Sequence, residues 1–357
     1  MEPAAGLPRR RHPRRGHGAL RRRGALPRLH RHLARPRGAD RRHAADGRLG
    51  AARRGGVAPV IAAAYLADEG LEQPLAEELA RSGRSISSWH GRLALSPEPP
   101  APAAWALDVW DAPRVIEAPS VKLAADGLRA IQRNWSLVPG EAHHRRAALI
   151  EERLPPVKGR ALAFPEPAPT GHLGGWTLLT GDTILASPTK SSPFPGGAPR
   201  FVEDREGPPS RAYLKLWEGL TRIGRHPGPG ETCLDLGASP GGWTWALARL
   251  GAGVTAVDKA PIDARVMAMP GVSWRQESAF GLAPEPVDWL FSDVICYPKR
   301  LLGLVGRWQG FAKNFFCSVK FQGETDHDIA AEFTAIPGAR LFHSAHNKHE
   351  LTFVLLG

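Results

Sequence analysis

The hydrophobic pattern becomes regular from Ser210 to the last residue. An apolar-periodic helix covers 210–224, and apolar runs typical of buried strands then alternate with amphipathic runs at 242–250, 298–311 and 324–335. The predicted strands are 232–237, 253–258, 272–278, 287–294, 314–321, 339–345 and 350–356. This alternation predicts an α/β fold with a mostly parallel seven-stranded sheet, ligands at the carboxyl ends of its strands and an antiparallel final pair.

The residues before Ser210 are organised differently. Short apolar runs such as VIAAAYLA and AAWALDVW alternate with polar turns over 57–153, which predicts a smaller N-terminal α/β module. Residues 154–209 are rich in proline and glycine and predict a connector, with one β-hairpin in GGWTLLTGDTILAS. We therefore expect four parts, the last being a domain over 210–357.

The first part, residues 1–56, contains no Val, Ile, Phe, Trp, Tyr or Lys, so it has little with which to build a core. Residues 1–55 hold 17 arginines and three acidic residues, so their net charge is +14. The whole chain has a net charge of +12, so the other 302 residues together carry −2. A basic RNA-binding arm and a transit peptide are alternatives. The favoured interpretation is a translated upstream sequence, with the protein itself beginning near Val57.

Deleting residues 1–55 is therefore expected to leave folding and activity intact. The measurement compares thermal unfolding and enzymatic activity for residues 56–357 and for the full chain. Lost activity in the shortened protein would contradict the interpretation.

The cysteines and the apolar runs bear on the compartment. Cys233, Cys296 and Cys317 have no CxxC spacing, which indicates buried thiols and argues against a disulfide framework or a zinc site. The apolar run at 58–67 is shorter than the roughly 18 residues that a membrane span needs. We expect a cytoplasmic protein that binds neither a membrane nor a metal ion. The sequence leaves the oligomeric state open and is compatible with a monomer.

The stretch DLGASPGGWTWALARLGAGVTAVD, residues 235–258, joins two predicted strands through a glycine turn and a helix. It contains neither the GxGxxG of dinucleotide-binding proteins nor the GxxxxGK[ST] of phosphate-binding loops. Asp258 ends the second strand and is placed to accept both hydroxyls of a ribose. A ribose site without a pyrophosphate site suggests S-adenosylmethionine as cofactor.

DLGASPGGW closely resembles the DLGAxPGGW motif of the FtsJ-like ribose 2′-O-methyltransferases, and the resemblance extends over about 185–357. It implies a Rossmann-like methyltransferase domain that binds S-adenosylmethionine. In that family a Lys-Asp-Lys-Glu tetrad surrounds the reacting hydroxyl, and the matching residues here are Lys215, Asp293, Lys320 and Glu350. The resemblance places the cofactor at Gly237, Ser239, Pro240, Gly241, Gly242, Trp243, Asp258 and Asp293.

These residue types suit the chemistry. A ribose hydroxyl is a weak nucleophile, so the enzyme must align it with the methyl group and take its proton. Lysine can act as a base only when its pKa falls toward neutrality, which partial burial and a second cation favour. We predict Lys320 as the general base, Lys215 as the second cation and Asp293 as the group that orients the Lys320 amine. Glu350 would hold Lys215 or the ribose.

The run SPTKSSPFPGGAPRFVEDREGPPSRAYLKLWEG further resembles a branch of the family that methylates a cytidine of 23S rRNA and carries an RNA-binding N-terminal region with a THUMP domain. The expected partner is therefore RNA, although the module over 57–153 is short for that role. Other rRNA or tRNA nucleotides and a non-catalytic RNA-binding factor are the alternatives. The predicted phosphate contacts are Lys190, Arg200, Arg211, Lys299, Arg300 and Lys348.

Two further features concern the adenine contact and three histidines near the end of the chain. The family has an aspartate that contacts adenine after the third strand, where this chain has Ser278, so adenine would be held by Ser278, by Glu277 or by backbone. His343, His346 and His349 have a spacing that does not converge on one metal, and we expect them to be core or solvated side chains.

Overall fold

The computed structural model describes residues 60–157 and 159–357; the predictions for the N-terminal segment 1–56 lie outside them. The first part of the described chain contains β1 (Ala63–Ala67), α1 (Glu72–Arg81), β2 (Ser88–His90), β3 (Leu93–Ser96), β4 (Ala106–Trp110), β5 (Arg114–Glu117), α2 (Val121–Ile131), β6 (Trp135–Leu137), α3 (His144–Glu151), β7 (Gly174–Thr180) and β8 (Thr183–Ser187). These elements build two four-stranded sheets, in the orders β2-β3-β1-β4 and β5-β8-β7-β6.

The predicted hairpin is confirmed, because β7 and β8 pair antiparallel. Its partners reach beyond the predicted connector: β8 pairs with β5, and β7 pairs with β6. This sheet therefore takes two strands from the predicted N-terminal module and two from the predicted connector. Its inner face packs on α2 and α3 around Trp135 and Trp176.

The second part contains α4 (Tyr213–Ile223), β9 (Thr232–Leu236), α5 (Gly242–Arg249), β10 (Gly253–Val257), α6 (Ala264–Met267), β11 (Val272–Arg275), β12 (Val287–Ser292), α7 (Pro298–Trp308), β13 (Ala312–Lys320), α8 (His327–Thr334), β14 (Arg340–Phe342) and β15 (Glu350–Leu355). Its seven strands form one sheet in the order β11-β10-β9-β12-β13-β15-β14. Only β15 runs antiparallel to its neighbours. The predicted α/β fold class is confirmed.

Several predicted boundaries move by a few residues, and two of them illustrate the local reasons. The strand predicted over 339–345 ends at Phe342, because the His343 N–H leaves the sheet and donates to the Ala104 carbonyl at 2.6 Å. The helix predicted from residue 324 begins at His327, where the Asp326 carboxylate accepts from the Ile329 N–H and caps the first turn.

The seven-stranded sheet and the β2-β3-β1-β4 sheet share a hydrophobic core. One cluster of buried side chains contains Tyr65, Leu75 and Trp105 from the first part together with Leu290 and Phe353 from the second. The described residues accordingly cluster as one compact unit. Within the described residues, no helix is both long and apolar enough to cross a membrane.

Candidate active site

The glycine turn after β9 is shaped by its own packing. Gly237 has φ +79°, and a Cβ there would lie 2.8 Å from the Val294 Cα. Gly241 precedes α5 with φ +111°, a conformation that residues with a Cβ avoid. Backbone approaches backbone at Gly237, so the glycine is needed even before a ligand is considered.

Asp258 ties this turn to the second strand of the motif. Its carboxylate accepts from the Ser239 N–H at 3.1 Å and from the Ala260 N–H at 2.9 Å. The Trp243 ring is buried, and its Nε1 donates to the Ala212 carbonyl at 2.9 Å, which joins α5 to the start of α4. The turn is therefore held from both sides.

A cleft of about 220 Å³ opens at the carboxyl ends of β9, β10 and β12. Both polar and apolar side chains line it. The lining residues include Gly237, Asp258, Glu277, Ser278, Phe280, Val294 and Ile295. Acceptors for ribose hydroxyls beside apolar walls for an adenine ring fit S-adenosylmethionine, and Ser278 and Glu277 both reach the cleft. Of the predicted cofactor residues in the turn, only Gly237 is among the residues that line it. Gly242 and Trp243 are buried.

The structure brings the four predicted tetrad side chains together next to this cleft. Lys215 lies on α4, Asp293 follows β12, Lys320 ends β13, and Glu350 begins β15 directly opposite Lys320. The Lys215 Nζ lies 3.0 Å from an Asp293 carboxylate oxygen and 2.6 Å from a Glu350 carboxylate oxygen. The Lys320 Nζ lies 3.0 Å from the same Asp293 oxygen and also donates to the Asp293 carbonyl.

The charges of this cluster follow from its pairing. Among the influences on the pKa of Lys215, burial is the largest and acts to lower it. The carboxylates of Asp293 and Glu350 together outweigh burial and hold this pKa above its usual value. Burial likewise works to raise the pKa of Asp293, and the ammonium groups of Lys215 and Lys320 bring it below its usual value. Lys215 is therefore a fixed cation, and Asp293 is an anion shared by two lysines.

Sequence reasoning missed Asp235, which lies on β9 under the turn. Burial, together with the nearby charge of Asp293, raises its pKa to about 7, and a hydrogen bond of 2.7 Å from the Thr244 hydroxyl opposes that rise. The Thr244 bond fixes α5 to the strand. An aspartate inside the apolar run TCLDLG was the available signal.

His343, His346 and His349 each have a different hydrogen-bond partner, so the three side chains do not meet at one point. His343 is buried between Asp68, 3.1 Å from its Nε2, and the Glu350 carbonyl, 3.1 Å from its Nδ1. His346 lies 2.6 Å from the Glu218 carboxylate, and His349 lies 2.7 Å from the Thr325 hydroxyl. His343 thus connects the β1–α1 turn to the strand that carries Glu350.

One predicted phosphate contact is wrong. Lys190 and Asp108 form an ion pair at 2.7 Å in which each side chain is 1% exposed, so Lys190 cannot meet a phosphate at the surface. The Lys190 ammonium also donates to the carbonyls of Ser192 and Phe194. The other five predicted contacts are exposed, and they are Arg200, Arg211, Lys299, Arg300 and Lys348.

Comparison with known proteins places this site in context. Residues 208–302 match the family model for FtsJ-like methyltransferases. Three relatives, each named ribosomal RNA large subunit methyltransferase M, are 42% identical over 119 residues (Halorhodospira halophila), 40% over 131 (Alkalilimnicola ehrlichii) and 39% over 146 (Methylococcus capsulatus). The alignments cover 32%, 35% and 40% of this chain and span 35%, 36% and 41% of the relatives.

Proposed function

We propose that this protein is an S-adenosylmethionine-dependent RNA ribose 2′-O-methyltransferase that acts on a cytidine of 23S rRNA. Residues 208–302 match the family model for FtsJ-like methyltransferases, which supports the reaction class. The observation that carries the proposal is the convergence of Lys215, Asp293, Lys320 and Glu350 beside the cofactor cleft. The relatives are named as ribosomal RNA methyltransferases, which supports ribosomal RNA as the substrate.

Gly237 and Asp258 would hold the cofactor, with Ser278 and Glu277 near the adenine, and S-adenosylmethionine supplies an activated methyl group when bound. Lys320 would take the proton of the ribose 2′-hydroxyl, whose oxygen would accept the methyl group in place of the cofactor's sulfur. Asp293 holds the Lys320 amine in place through the 3.0 Å contact.

Lys215 completes the arrangement as the fixed cation. It pairs with the Asp293 carboxylate oxygen that also contacts the Lys320 amine, so one carboxylate positions both lysines. Glu350 holds Lys215 through the 2.6 Å contact, which supports the first of its two predicted roles over a contact with the ribose. Removing either carboxylate would leave the buried Lys215 ammonium without one of its partners.

Two alternatives use the same site. The same chemistry on another rRNA or tRNA nucleotide needs no change in the tetrad, because the base is chosen by RNA shape and accessible single strands. A non-catalytic RNA-binding or assembly factor would not need four charged side chains brought to one point. The convergence of the four side chains therefore favours an enzyme.

The test is transfer of tritiated methyl groups from S-adenosylmethionine to 23S rRNA that lacks the host modification, followed by nucleoside analysis. The expected product is 2′-O-methylcytidine. Another 2′-O-methylated nucleoside would keep the reaction and reject the cytidine. Cofactor binding without incorporation into 23S rRNA, other rRNA or tRNA would reject the enzymatic function.

A further inference from the structure

Two large apolar side chains project into solvent directly beside the tetrad. Ile295 is 80% exposed and Tyr297 is 67% exposed, the two highest values among large hydrophobic residues in the part of the chain that the structure describes. Cys296 between them is buried, so this is an extended segment whose alternate side chains point outward. The segment begins two residues after Asp293.

Basic groups surround this apolar pair. Lys299 and Arg300 lie in the first turn of α7, which has no acidic residue there. The Arg300 guanidinium lies over the Phe280 ring, 3.7 Å from its centroid, and Arg300 lines the cofactor cleft together with Ile295. The rim formed by Ile295, Tyr297, Lys299 and Arg300 therefore combines exposed apolar surface with positive charge.

This combination is the one that single-stranded nucleic acids need, because bases stack on aromatic rings and phosphates pair with cations. Burying an exposed tyrosine under a base also removes the cost of holding its ring in water. A protein partner would gain less from a rim whose only formal charges are positive, whereas a polyanion with flat apolar bases matches both properties.

We infer that the Ile295–Tyr297 rim binds an unpaired base adjoining the reacting nucleotide, with the Tyr297 ring stacked on that base and Lys299 and Arg300 on the neighbouring phosphate. The inference rests on the proposed function, since it assumes that the ribose is delivered to Lys320. It assigns to this rim the positioning of the RNA strand, and it leaves proton transfer to the tetrad.

The experiment compares Tyr297→Ala and Tyr297→Phe with Phe311→Ala, which removes a 43% exposed aromatic ring just past the other end of α7. The measurements are KM and kcat for RNA, the Kd of a fluorescent single-stranded RNA oligonucleotide and the Kd of S-adenosylmethionine. We expect Tyr297→Ala to raise the KM and Kd for RNA about tenfold or more, the range seen for loss of a stacked base. Tyr297→Phe keeps the ring and recovers most of that loss.

Phe311→Ala should bind RNA as the wild type does, and S-adenosylmethionine binding by Tyr297→Ala should show that its fold is intact. RNA binding by Tyr297→Ala that matches the wild type would overturn the inference. Wild-type protein that binds RNA without methylating it, together with weaker binding by Tyr297→Ala, would support the rim and reject the proposed function. The two proposals therefore fail separately.

Discussion

Replacing Lys320 with alanine should leave S-adenosylmethionine binding unchanged and lower methyl transfer by about 10²- to 10⁴-fold, the usual contribution of a general base. Lys320 ends β13 beside the cleft, and its side chain does not line the cofactor site. Its loss leaves Asp293 still paired with Lys215, so the remaining charges keep a partner. The measurement is single-turnover methyl transfer together with the Kd of the cofactor.

Lys313→Ala is the matched control, because Lys313 lies at the opposite end of the same strand. Its side chain is 73% exposed and pairs with Asp288, so we expect near wild-type transfer. A Lys320→Ala protein that transfers methyl groups at the wild-type rate would refute the base assignment. A Lys320→Ala protein that also lost cofactor binding would point to a structural role.

Replacing Lys190 with alanine should lower the free energy of unfolding by about 3–5 kcal/mol, the cost of leaving one partner of a buried ion pair alone. Asp108 would then be a buried carboxylate without its counter-ion, and the carbonyls of Ser192 and Phe194 would lose a donor. Burial already raises the pKa of Asp108 against the effect of Lys190. Chemical denaturation monitored by tryptophan fluorescence measures the change.

Lys122→Ala serves as the control, since Lys122 is 76% exposed and its pair with Asp126 should contribute under about 1 kcal/mol. A second variant, Lys190→Met with Asp108→Leu, removes both charges and should recover part of the stability. It should not recover all of it, because the Ser192 N–H also loses its acceptor. A Lys190→Ala protein as stable as the wild type but weaker for RNA would restore the phosphate role that the burial excludes.

The sequence predicted the seven-stranded sheet well because each strand of a parallel sheet is a short apolar run bounded by turn residues. The run VSWRQES predicts a strand to residue 278, but β11 ends at Arg275, where the Glu277 N–H donates back to the Arg275 carbonyl. The pairing of β7 and β8 with β5 and β6 was beyond reach, because it joins segments distant in the chain. The proline-rich composition predicts the loops around that hairpin, but it gives no signal for the sheet that the hairpin joins.

The convergence of the tetrad was foreseeable in outline, because Asp293 and Lys320 end neighbouring strands and such ends meet at one edge. Which carboxylate holds which lysine depends on side-chain geometry, and only the structure shows that Glu350 contacts Lys215. Lys190 illustrates the opposite error. A lysine in a polar-looking run was taken for a surface charge, and its partner Asp108 lies 82 residues earlier.

The contact of His343 with Asp68 and with the Glu350 carbonyl has a consequence for how such a chain can change over time. A domain can be exchanged by recombination only where few contacts cross its boundary with the rest of the chain. Here a cut before Ser210 would open the core around Trp105 and remove the Asp68 partner of His343, which also contacts the Glu350 carbonyl. We expect new RNA preferences in this lineage to arise by substitution on surfaces such as the Ile295–Tyr297 rim, with the two parts inherited together.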